Sequence, residues 1–284
     1  MAPRNCLEHL PWVELDCDLL VIGCMVYENG SLGNELLRDS PPDTVLFGRS
    51  EVMQQLRSKL VRVSPTTVPV LLQGEVGVGK SVLSQFIHCH SAYALGPYIS
   101  INCAALGGSS LIKDPFLSLQ SALGFVHPNG DDASPLSFFG TLFLEQVSEL
   151  TPRLQQQLAR SLAEADECTT REPHEVHEKV RIICSSTRNL HRDVKMGHFR
   201  RDLFHRLVVV AIDVPPLRNH LEDLPTIAEY LRLRHSAELA VAGPPFSGEL
   251  LARMMTYPWP GNIRELENFV CRHVLLGCVD LASV

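Results

Sequence analysis

The 284-residue sequence has no basic excess: 25 lysines and arginines against 32 aspartates and glutamates leave a formal net charge of −7. A surface devoted to nucleic-acid phosphates or anionic lipid needs the opposite balance, so direct DNA binding is not expected. Long hydrophobic runs are also lacking. The longest early one, "LLVIGCMVY" from Leu19, has about half the roughly 20 residues a membrane span needs, and it follows three acids rather than a basic leader. The nine cysteines include no C-x-x-C pair, which removes zinc-ribbon and dithiol redox motifs. Scattered thiols suit buried positions in a reducing compartment, and a cytoplasmic location is the expectation. Cys168, His174 and His177 lie close together in "CTTREPHEVHE", but no fourth ligand stands at suitable spacing, so no metal site is predicted there.

With 45% hydrophobic residues the chain can bury a full core, and its length suits one large domain with a smaller companion. The prolines of "DSPPDT" mark a linker that closes an N-terminal extension, residues 1–44. From Leu46 the pattern is regular: helix "RSEVMQQLRSKLVRV", strand "VPVLLQG", helix "KSVLSQFIHCHSAY", strands "YISINCA" and "TLFLEQ", helix "PRLQQQLARSLAEA", strands "VRIICSST" and "VVVAIDVP". Strands alternating with helices of this length predict an α/β domain, residues 45–214, with a parallel sheet covered by helices on both faces. After Pro215 and Pro216 the strand pattern stops, and residues 215–284 read as three or four helices in a small subdomain. Trp12 and Trp259 read as packing residues rather than ligand stacks.

Between an apolar strand and a helical pattern stands "GEVGVGKS", Gly74 to Ser81, which satisfies G-x-x-x-x-G-K-[ST]. Gly74, Gly77 and Gly79 let the backbone turn its N–H groups toward phosphate oxygens, and the helix that follows offers its positive end. Lys80 is expected to reach the β- and γ-phosphates, and Ser81 to ligate Mg2+. Gly74, Glu75, Gly77, Val78, Gly79, Lys80, Ser81 and Val82 together form the expected ATP cradle. An acidic partner is expected at the end of a neighbouring strand. "GTLFLEQV" supplies Glu145, followed by an amide, Gln146.

The ordered motifs "INCAAL", "GTLFLEQV", "FRRDLFHRL", "VPPLRNHLEDLP" and "YPWPGNIRELENFV" resemble, in sequence and spacing, the central AAA+ domain of bacterial sigma-54-dependent transcription activators. The resemblance covers about residues 46–276. It implies an ATP- and Mg2+-dependent P-loop AAA+ domain with a helical lid. The family acts as an oligomeric ring of AAA+ subunits that presses surface loops on sigma-54 RNA polymerase to open promoter DNA. By the same resemblance Arg200 and Arg206 are arginine fingers, Arg264 is the lid sensor, and Asn102 restrains the catalytic acid. The N-terminal extension resembles the middle of a receiver domain, with Gly23 where the phosphorylated Asp would stand and the rest of that domain missing.

Several positions depart from the family's pattern. Glu145 and Gln146 stand where the family has Asp-Glu; Glu145 retains a charge for Mg2+, but an amide at 146 orients water without accepting its proton. Thr187 occupies the sensor position usually held by Asn. "SALGFV", Ser121 to Val126, aligns with the family's GAFTGA remodelling loop, "DPFL" from Asp114 replaces its upstream element, and nothing after "FVCRHVLLGCVDLASV" supplies a helix-turn-helix. Three readings stand: an ATP-binding regulator with impaired hydrolysis and remodelling that joins a homo- or hetero-oligomer of AAA+ subunits, an active ATPase that remodels sigma-54 polymerase, and an interaction scaffold that binds no nucleotide.

Overall fold

The structure, a computed structural model, describes residues 25–26, 40–106, 140–171 and 180–277. Trp12, Gly23, Asp114, Ser121–Val126, His174 and His177 lie outside the described residues. The elements run in the order β1 (Met25–Val26), α1 (Asp43–Leu46), α2 (Glu51–Val63), β2 (Val70–Gln73), α3 (Lys80–Cys89), β3 (Tyr98–Asn102), α4 (Cys103–Leu106), β4 (Thr141–Glu145) and α5 (Pro152–Arg171). There follow β5 (Arg181–Ser186), α6 (Leu190–Lys195), α7 (Arg201–Leu207), β6 (Val210–Asp213), α8 (Leu224–Glu238), α9 (Gly248–Thr256) and α10 (Asn262–Leu276).

Five strands pair in parallel in the order β3-β4-β5-β2-β6, and β1 adds an antiparallel pair at the outer edge of β3. The inner strands are apolar on both faces, as a sheet with helices above and below requires. Their alternation shows in β4. Leu142 and Leu144 join Ile101, Ile182 and Cys184 in a layer closed by Leu154, Leu158 and Leu162 of α5 and Leu203 and Leu207 of α7. Phe143 turns the other way and packs with Leu72, Ile183 and Ile212 against α2 and α3. On α2 the buried Met53, Leu56 and Leu60 fall on one helical stripe.

The register brings the carboxyl ends of the strands to one rim. Asn102 pairs with Glu145, and Gln73 pairs with both Ser186 and Asp213. In open α/β sheets a ligand site lies at that rim, where the strand order reverses. Here β2, sandwiched between β5 and β6, delivers the glycine-rich loop to it.

The expectation of three or four helices after Pro216 resolves, among the described residues, into α8, α9 and α10. They enclose a separate core of Leu224, Leu231, Met254, Leu266, Phe269 and Val274 around Trp259, whose indole N–H donates to the Met254 carbonyl at 2.9 Å. "FRRDLFHRL", which was given no secondary structure from its pattern, forms α7. Seven residues are too few to show a helical period, and α7 is held by burying Leu203, Phe204 and Leu207.

At the opposite rim lies a buried polar layer. His88 Nδ1 and the Thr141 hydroxyl are 2.8 Å apart, and Arg181 donates to the carbonyls of Val63, at 3.0 Å, and Ser64. A cation at the last carbonyls of α2 satisfies acceptors that have no helical partner and opposes the negative end of the helix. Burial, aided by the Arg181 charge, pushes the His88 pKa down from 6.5 to about 4. The unfolded chain therefore takes up that proton first as pH falls, so the stability present above pH 6.5 is lost progressively toward about pH 4. Urea unfolding at pH 7 and pH 5 is expected to show a smaller loss for His88→Gln than for the parent. Equal losses would assign the acid sensitivity to other groups.

Candidate functional site

The loop after β2 is built by two glycines in the left-handed region, Gly77 (φ 79°) and Gly79 (φ 90°), conformations that side chains with a Cβ rarely adopt. A Cβ on Gly79 would meet no atom within 4 Å, so its side of the loop is open to an incoming group; one on Gly77 would strike the Gly261 carbonyl at 2.2 Å. Gly79 caps α3, whose first residues are Lys80 and Ser81, so the helix N-terminus and its donor N–H groups face the loop. Val78 fastens the loop to the core formed by Leu72 and Leu83.

Lys80 Nζ donates to the carbonyls of Gly74 at 2.8 Å and Glu75 at 2.6 Å. Partial burial lowers its pKa, and the Arg264 charge works in the same direction against the opposing pull of Glu145 and Glu75. An incompletely solvated ammonium beside a second cation is an anion-seeking arrangement. The Ser81 hydroxyl, in the first turn of α3, donates to Oε1 of Glu145, the last residue of β4, at 2.5 Å. A hydroxyl and a carboxylate oxygen held together at the rim are hard donors of the type Mg2+ takes. The residues present thus fit both groups expected from the loop: a polyphosphate at Gly74–Lys80 and Mg2+ at Ser81 and Glu145.

Gln146 follows directly, in the left-handed region (φ 53°, ψ 50°). A non-glycine residue there costs on the order of 1–3 kcal/mol and persists where neighbours enforce it. Here its N–H donates to Ser185 Oγ at 3.2 Å and its carbonyl accepts from the Glu149 N–H at 2.9 Å. Asn102 lies one strand away, in register with Glu145, and its Oδ1 accepts from the Ala104 N–H at 3.0 Å. Thr187 follows the end of β5 on the same rim. Arg264 lies in the first turn of the lid helix α10, is exposed, and donates its backbone N–H to the Gly77 carbonyl at 3.3 Å.

Arg200 and Arg206 flank and end α7, which packs on α5, α6 and β5. The exposed Arg200 guanidinium forms a two-point pair with Asp202, at 3.0 and 2.6 Å, and Arg206 is half-buried and donates to the Leu162 carbonyl at 3.3 Å. The cradle, Glu145, Gln146, Asn102 and Arg264 are thus gathered at one rim, whereas the two arginines stand on the α7 layer.

Sequence reasoning missed Arg218, Asn262, Ser185 and Arg188. Arg218 makes a two-point pair with Glu75 at 2.8 and 2.6 Å. Asn262 donates to Glu75 and to the Val76 carbonyl. Arg188 ties the turn after β4 to the segment after β5 through the Ser148 carbonyl, at 2.9 Å, and Asp193, at 3.0 Å. Arg218 and Asn262 sit inside "VPPLRNHLEDLP" and "PGNIREL", so the motifs marked the segments but not which side chains reach the loop.

The family profile described as a sigma-54 interaction domain matches residues 46–213, and one described as an AAA+ ATPase lid domain matches residues 218–280. Among curated relatives, transcriptional regulatory protein ZraR of Klebsiella oxytoca is 35% identical over 231 residues, 81% of this chain and 52% of its own length. Hydrogenase transcriptional regulatory protein HoxA of Cupriavidus necator is 38% identical over 216 residues, 76% of this chain and 45% of its own. The chain therefore spans about half the length of the curated relatives it matches. Among solved structures, NtrX from Brucella abortus in complex with ADP is similar with a TM-score of 0.67 and 28% identity, covering 87% of this chain and 55% of that one. Matching profiles over most of the chain, a P-loop that follows β2 of a five-strand parallel sheet and a helical lid agree on one conclusion: the chain belongs to the sigma-54 interaction family of AAA+ proteins.

Proposed function

We propose that this chain is an ATP-binding regulator of the sigma-54 interaction type, impaired in hydrolysis and in remodelling sigma-54 polymerase, that acts by oligomerising with AAA+ subunits in the cytoplasm. One observation carries the reading: Ser81 and Glu145 are joined at 2.5 Å beside Lys80, while the residue that follows Glu145 is an amide. Gly74, Glu75, Gly77, Val78, Gly79, Lys80, Ser81 and Val82 would hold the phosphates, and Ser81 and Glu145 the Mg2+, which when bound offsets phosphate charge. Arg264 adds positive charge from the lid, and Asn102 and Thr187 line the same rim. That the similar NtrX was solved in complex with ADP supports nucleotide binding by this chain.

At 146 a water can be oriented by the amide, but its proton has no acceptor there. Arg200 presents a permanently charged, exposed guanidinium on a different layer from the chain's own cradle, a placement suited to a neighbour's phosphate rather than its own. A subunit that offers fingers yet hydrolyses poorly would complete an adjacent active site without adding its own turnover. Light scattering after size exclusion tests this. The protein, alone and mixed with a full-length sigma-54 activator, is expected to form larger assemblies with Mg-ATP than without. A monomer under all of these conditions would overturn the oligomeric reading.

A further inference from the structure

Glu75 is the one acid in the glycine-rich loop, and its carboxylate is engaged by side chains from the lid and the segment leading to it. Both its oxygens are taken by Arg218, at 2.8 and 2.6 Å, and Oε2 also accepts from Asn262 Nδ2 at 3.1 Å. Arg218 lies in the short segment Leu217–Asn219, which joins the sheet to the lid. Asn262, fully buried and in the left-handed region (φ 55°), opens the lid helix α10. Its amide binds three groups on two other segments: Nδ2 also donates to the Val76 carbonyl at 3.0 Å, and Oδ1 accepts from the Leu217 N–H at 2.9 Å. Beside it the Gly77 carbonyl accepts from the N–H groups of Ile263, at 2.9 Å, and Arg264, at 3.3 Å, donors that α10 cannot satisfy within itself.

The backbone of the same residue contacts the cradle lysine. The Glu75 carbonyl is held by Lys80 Nζ at 2.6 Å. A phosphate that draws the ammonium outward competes with that carbonyl, and any shift of the Glu75 peptide moves a carboxylate fastened to the hinge and to the first residue of α10. We infer that Glu75 couples the cradle to the lid, so that a triphosphate in the loop tightens the hold of Arg218 and Asn262 on α10 and that hold in turn raises affinity for the triphosphate. Coupling of this kind is reciprocal by thermodynamic necessity. The inference rests on the nucleotide-binding reading above.

The pair is poorly placed to serve stability instead. Both side chains are 44% exposed, and exposed ion pairs contribute little to folding. The Glu75 pKa is held down at about 2, by the Arg218 hydrogen bonds first and the Asn262 amide second, so the carboxylate is ionised throughout the physiological range. Only the buried amide of Asn262 is positioned to matter for the fold, which makes Glu75 and Arg218 the informative sites to change.

The test uses the full chain as parent, Glu75→Gln, Arg218→Gln and the double variant. Affinity is read by titrating a fluorescent ATP analogue with Mg2+. Lid closure is read as hydrogen-exchange protection of residues 262–266 with and without ATP. In the parent, ATP is expected to raise that protection. Each single variant is expected to lose the rise and to bind about tenfold more weakly, within the usual span of coupling factors. The double variant is expected to be no weaker than either single one, because both remove the same link. Parent-like affinity and a parent-like rise in protection in Glu75→Gln would overturn the coupling, as would strictly additive losses. A parent that binds no analogue would overturn the nucleotide reading and this inference with it, whereas a parent that binds normally while its variants are unaffected defeats the inference alone. A variant that unfolds would also count against it, because the exposed pair would then be serving stability.

Discussion

Lys80→Ala is expected to weaken Mg-ATP binding by at least about 100-fold while leaving the melting temperature nearly unchanged. A charge-assisted hydrogen bond is worth about 1.5–3 kcal/mol, and an ammonium bridging two phosphate oxygens makes two. At about 1.4 kcal/mol per tenfold, their joint loss exceeds two decades of affinity. The fold does not depend on them. Among the described residues the hydrogen bonds of Lys80 Nζ go to carbonyls of its own loop, those of Gly74 and Glu75, and the lowered pKa records a cation held against its solvation preference. Removing it relieves that cost, so thermal unfolding stays level while fluorescence titration collapses. A variant that bound as tightly as the parent would place the nucleotide elsewhere or nowhere, leaving the interaction-scaffold reading.

Gln146→Glu is expected to raise the rate of ATP hydrolysis by about 10²–10⁴, the usual contribution of a general base. The exchange keeps the shape of the side chain and adds a proton acceptor. The turn that carries it should survive, because its left-handed backbone is enforced by main-chain bonds to Ser185 Oγ and the Glu149 N–H, neither of which involves the side chain at 146. Single-turnover phosphate release, with Lys80→Ala as the blank, measures the step directly. A parent that already turns over as fast as Gln146→Glu would sink the impaired-hydrolysis reading and favour the active ATPase, with another group accepting the proton.

Much of the fold was legible because its signals are local. The strand that ends at Gln73 is apolar on both faces, the glycine spacing of Gly74, Gly77 and Gly79 admits few backbones other than a phosphate loop, and α2 and α5 carry clean helical stripes. The short α6 and α7 were not legible, since their periods are too brief to register and they form by docking apolar residues on the sheet. The site was legible where chemistry is written into one segment. Lys80, Ser81 and Glu145 were identifiable by type and spacing, and the structure adds that Ser81 and Glu145 touch.

Residue order alone determined the phosphate loop, the acid followed by an amide at 145 and 146, and the alternation that forces a covered parallel sheet, because each depends on neighbours within a few positions. Tertiary structure alone decided that the loop's acid is claimed by Arg218 and Asn262, more than a hundred residues downstream, and that Arg200 stands on a different layer from its own chain's cradle. Contacts of that kind depend on how distant segments pack into one body, and no short window of sequence encodes that packing.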